Sequence, residues 1–177
     1  MTQDQVNLTE MQRYIAVVAI TPSALRNLGA KGFVAPAQDF LAGINLKPLV
    51  IIDPSDYSHW LDCETEELMK EFPINLWGPA RKSINIFMVM ALLNRYLCAA
   101  FSLDRLEKAL EVPLDSRVQK SLLDWAKREK RSCGELRQPI SIKDLNPGNS
   151  KEFQNLATEA AERMSIPRGL LDVYLWP

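Results

Sequence analysis

A chain of 177 residues, 47% apolar and 24% charged, is long enough to bury its own core as one domain, and its composition is that of neither a disordered nor a membrane protein. The formal net charge of −1 excludes a global basic field, so any nucleic-acid partner must meet a local patch. Three scattered cysteines, Cys63, Cys98 and Cys133, and the single His59 argue against a zinc or iron–sulfur site and suit a reducing cytosol.

The opening MTQDQVNLTE is polar and acidic, unlike a signal peptide, and the apolar run 86–101 is broken by Asn94 and Arg95, so a cytoplasmic protein is expected. Residues 9–20 read as a helix with Thr9 as N-cap, ending before Thr21 and Pro22. Residues 23–29 form a short helix closed by Gly29, and 34–44 a third with Pro36 near its first turn. PLVIID (48–53) is the one good strand candidate, equally readable as a buried connector, and no sheet is built on it. Residues 56–72 carry apolar and acidic side chains at helical spacing until Pro73 stops them.

After the connector INLWG a long helix is expected from Pro79 to about Phe101. Ser102 or Asp104 caps a helix over 103–111, Pro113 breaks it, and 115–131 forms a strongly amphipathic helix with a basic tail. Residues 132–150 are rich in turn formers, and 151–164 and 167–176 close the chain as helices. The sum is an all-α, compact multi-helix domain over 1–177.

The stretch GPARKSIN (78–85) places two cations at the start of an apolar helix, where the macrodipole disfavours them. Gly78 permits a close backbone approach, Pro79 is preorganised for a first helical turn, and the free amides there form an anion site to which Arg81 and Lys82 add charge. The same setting should lower the pKa of Lys82 from about 10.4, making it a nucleophile. Read singly, Lys82 is equally a solvated first-turn lysine, and Asp115 after Pro113 is more simply an N-cap. Asp172 and Trp176, four apart on one helix face, are suited by themselves to anchoring the C-terminus.

WGPARKSINIF (77–87), VPLDSRVQKSL (112–122) and LDVYLW (171–176), in that order, resemble the helix-hairpin-helix Gly/Pro–Asp superfamily of DNA glycosylases. The separation of Lys82 from Asp115, with LDRLEKALE between them, is nearest the archaeal-type 8-oxoguanine branch. The resemblance implies two helical lobes flanking a cleft, a helix-hairpin-helix element, Lys82 as Schiff-base nucleophile and Asp115 as catalytic carboxylate. It further implies that Asp172 and Trp176 read a flipped base with Asn27 contributing, that Trp77 lines the pocket mouth, and that Gly78, Ala80 and Arg81 meet a DNA phosphate. Two departures stand out: Ala80 occupies the place of a second hairpin glycine, and Leu28 that of a polar residue beside Asn27.

The expected activity is therefore a DNA N-glycosylase, with or without AP-lyase chemistry, for which 8-oxoguanine is the first base to consider. The implied partner is double-stranded DNA with a modified base, met by a monomer with no metal, organic cofactor or membrane. The alternative is a non-catalytic helical module, on the same scaffold, that binds nucleic acid or a protein. His59 pairs with no nucleophile, Trp60 and Trp125 fall on apolar faces, and KREKR (127–131) is a solvated helix end that could also touch phosphates.

Overall fold

A computed structural model describes residues 7–25 and 32–175. The first helix, α1, spans Leu8–Ala19. Its N-cap is Asn7 rather than Thr9, because the Asn7 side chain accepts from the amides of Thr9 (3.1 Å) and Glu10 (3.3 Å). Packed along it is α2 (Val34–Gly43), and two glutamines lock the pair. Buried Gln12 donates to the carbonyls of Leu41 (3.1 Å) and Ile44 (2.8 Å), and Gln38 donates to that of Ile20 (2.7 Å). Each thereby serves carbonyls that a helix C-terminus leaves without an intrahelical partner. Most of the expected 23–29 helix lies outside the described residues; 22–25 form a turn.

PLVIID is not a strand: Lys47–Val50 makes one 3-10 turn, and no strand occurs among the described residues. Asp53 caps the turn Pro54–Asp56, from which α3 (Tyr57–Lys70) continues. Against α3 and α1 lies α4 (Trp77–Leu93), buried over most of its length. The single helix expected to reach Phe101 instead breaks at Asn94. That residue adopts an extended conformation, its side chain accepts from the amides of Tyr96 and Leu97 (both 3.1 Å), and the chain bends by 96° into α5 (Arg95–Phe101). An asparagine able to cap a new helix competes with continuing the old one. Among the described residues, no single helix is long and apolar enough to cross a membrane.

The helix expected over 103–111 is likewise absent. Only Leu103–Leu106 forms a 3-10 turn, and 110–115 run without helix to α6 (Ser116–Arg128). Pro113 disfavours helical backbone at Val112, and the polar groups of this stretch find side chains elsewhere in the fold. An Asn146–Asn149 capping box opens α7 (Pro147–Met164), and a 3-10 turn (Arg168–Leu170) leads into α8 (Leu171–Leu175). Buried apolar side chains fall into two clusters, one running from Ile15 to Leu110 and the other from Val112 to Leu171. Glu111 is the residue between them. The fold is all-α and compact, as the sequence pattern indicates.

Candidate functional site

The helix expected to open at Pro79 starts at Trp77, so Arg81 and Lys82 stand in the second turn of α4 rather than the first, and because neighbouring residues on an α-helix are about 100° apart around its axis the two cations point different ways. Arg81 turns inward. Its Nε and Nη2 donate to Glu111 Oε2 and Oε1 (both 2.9 Å), its Nη1 to Asp62 Oδ1 (2.7 Å) and Thr65 Oγ1 (3.2 Å), and its guanidinium lies 5.3 Å from the centre of the Trp77 ring. Only 6% of the side chain is exposed. Burial pushes the Glu111 carboxyl up, but the Arg81 hydrogen bonds and charge more than offset this and hold it below the ordinary range. The same pair raises Arg81 against its own burial. Arg81 is thus not presented to a DNA phosphate as expected, because a buried guanidinium needs acceptors and α3 and residue 111 supply them.

Lys82 turns the other way and donates from Nζ to the carbonyl of Ala24 at 2.7 Å while remaining almost fully buried. It lines a pocket of about 480 Å³ together with Asp115, Asp172 and Arg117. Asp115 does what a residue before an amphipathic helix is suited to do: its Oδ1 accepts from the amides of Arg117 (2.9 Å) and Val118 (2.8 Å), capping α6. The cap uses Oδ1 alone and leaves Oδ2 outside it. Asp172 reaches the pocket from the first turn of α8. An amine, two carboxylates and a cation, drawn from α4, α6 and α8, therefore border one space. Such a set can deprotonate an amine, stabilise a nearby positive charge and hold an anion.

The other expected contacts are placed differently. A Cβ on Gly78 would meet the Ile142 carbonyl oxygen at 2.1 Å, so the close approach that this glycine permits is made by the chain's own 142–145 segment, and Ala80 is buried in the first apolar cluster. The anticipated phosphate seat is covered. Trp77 is half-buried, packed on the second apolar cluster and stacked with Arg81, and it does not line the Lys82 pocket. Asn27 and Trp176 lie outside the described residues. Among the described residues no group of three or more His, Cys, Asp or Glu side chains is placed to hold a metal ion.

Sequence reasoning overlooked Glu111, Gln154 and Arg168. Gln154 grips Val112 at both its amide (3.2 Å) and its carbonyl (2.8 Å), and Arg168 donates to the carbonyls of Ala109 (2.7 Å) and Leu110 (3.0 Å). A signal existed for Gln154: it shares the buried face of α7 with Phe153, Ala157 and Ala161, where a polar side chain implies a specific partner. No protein-family model matches this chain, and no curated protein and no solved structure matches it.

Proposed function

We propose that the chain is a DNA N-glycosylase with a lysine nucleophile, acting on a modified base and able to continue as an AP lyase. One observation carries the reading: Lys82 and Asp115, far apart in sequence, border the same pocket. Its volume of about 480 Å³ falls in the range of roughly 300–1,000 Å³ found for ligand sites. A nucleotide flipped from the duplex, at a cost of a few kcal/mol in unstacking, would enter this space. Asp115 would accept the proton that the Lys82 ammonium must lose. The neutral amine then attacks the sugar C1′ while the C1′–N bond breaks and its electron pair leaves with the base, which takes up a proton. Opening of the sugar ring gives an imine, from which β-elimination cleaves the strand.

Asp172 would accept hydrogen bonds from the base, and Arg117 is the cation best placed to meet the neighbouring backbone phosphate now that Arg81 is turned inward. In this reading the two apolar clusters would be the lobes and the pocket the cleft between them, while residues 77–87, where the hairpin was expected, are part of the continuous helix α4. Duplexes carrying 8-oxoguanine or an abasic site, incubated with the full chain, test it. Release of the free base, or strand scission at the lesion, supports the reading. Neither product on any lesion duplex contradicts it.

The covered seat over Gly78 and the inward Arg81 take away two expected DNA contacts, which leaves room for a second reading, a helical module without chemistry that binds nucleic acid through other residues or binds a protein. Retarded migration of duplex DNA with no product would select the nucleic-acid form of it.

A further inference from the structure

Lys82 rides on α4 and Asp115 on the stretch entering α6, so their separation depends on how residues 109–115 are held against α4. Side chains do this rather than secondary structure. Arg168 holds the carbonyls of Ala109 and Leu110, Arg81 and Asn85 hold the Glu111 carboxylate (Asn85 Nδ2 to Oε2, 3.1 Å), and Gln154 holds Val112. Glu111 is the member that ties back to the lysine's own helix. The residue gripping it is the neighbour of Lys82, and Pro113 restricts the backbone between it and Asp115.

We infer that the Arg81–Glu111 pair is a positioning device, setting the placement of Asp115 relative to Lys82 across the pocket. The inference rests on the lysine-nucleophile reading proposed above. A bidentate guanidinium–carboxylate pair fixes direction as well as distance. Apolar residues of similar volume can replace the contribution of a buried pair to stability, but they carry no hydrogen-bond geometry. Misplacing a reacting group by about 1 Å costs on the order of 10²-fold in rate.

The test compares the full-length wild type, the Arg81→Met/Glu111→Leu double variant and Glu111→Gln. Each is followed by single-turnover borohydride trapping on an abasic-site duplex across a pH series, with duplex affinity and melting temperature measured on the same samples. The double variant is expected to fold and bind duplex as the wild type does but to trap about 10²-fold more slowly, with Glu111→Gln, which keeps one of the two acceptor oxygens, slowed by about tenfold. A folded double variant trapping at the wild-type rate and with the wild-type pH profile would overturn the inference. Should the double variant not fold, Glu111→Gln decides alone, and an unchanged rate and pH profile there overturns it. A wild-type chain that traps on no duplex removes the lysine reading itself, and the inference with it, so the wild-type sample tells the two failures apart.

Discussion

A methyl group on Gly78 would stand 2.1 Å from the carbonyl oxygen of Ile142 and 2.8 Å from Cβ of Leu145. Neither neighbour is the flexible tip of a side chain, so the 142–145 backbone must move to admit it. Gly78→Ala is expected to destabilise the chain by about 1–3 kcal/mol, in the manner of overpacked cores. Urea denaturation checks this: the midpoint should fall with the slope unchanged. An unaltered midpoint would show that the segment over Gly78 is not packed as described.

Asp115 has two roles that substitution can separate. Asparagine caps a helix about as well as aspartate, whereas alanine loses the cap at a cost of about 1 kcal/mol. Asp115→Asn should therefore melt close to the wild type while its trapping rate falls by about 10²–10⁴, the usual contribution of a positioned acid or base. Asp115→Ala should lose both. An asparagine variant that keeps the full rate would reduce Asp115 to a cap.

The Arg81–Glu111 pair predicts a stability pattern of its own. Arg81→Met alone leaves the Glu111 carboxylate buried and unpaired, at a cost of roughly 3–5 kcal/mol, and the Arg81→Met/Glu111→Leu double variant should recover most of that loss. Equal destabilisation of the single and double variants, measured by urea denaturation, would contradict the pairing.

Acid behaviour follows from the same carboxylate. Arg81 holds the folded Glu111 below its ordinary value of 4.5. The unfolded chain therefore takes up this proton first as pH falls, so the stabilisation is complete above 4.5 and is lost as pH drops through the lower folded value. The stability difference between wild type and Glu111→Gln should shrink in that acid window and stay flat above it. Asp53 and Asp124, also held below the ordinary range, are present in both proteins and cancel in the comparison. A difference that does not change with pH would show that the pair carries no charge-dependent stability.

The long periodic helices were legible in the sequence because their apolar faces are wide: α2, α3 and α6 lie close to where the spacing puts them, and α7 ends where expected at Met164 but opens a turn earlier, at Pro147, inside the stretch read as loop. The helix ends and the 103–115 stretch were not. Asn94 sits within an apolar run, and only its capping of α5 shows that it breaks the helix. LDRLEKALE has good helix formers, yet Pro113 and side chains distant in sequence draw its second half out of helix, a tertiary effect that overrides local propensity. At the site, Lys82, Asp115 and Asp172 are singled out by the resemblance of their flanking motifs, whereas residue type alone leaves Lys82 a solvated lysine and Asp115 an N-cap just as readily. The inward turn of Arg81 was not legible by either route, because it depends on Glu111 and Asp62 meeting across the fold.

The most direct test of the account is the identity of the amine that reacts. Wild-type chain and Lys82→Ala would be incubated with an abasic-site duplex and borohydride, and the covalent adduct mapped by peptide mass. The account predicts one adduct, on Lys82, and none in a folded Lys82→Ala variant. An adduct that persists undiminished in the variant, or a wild type that forms none, would contradict it.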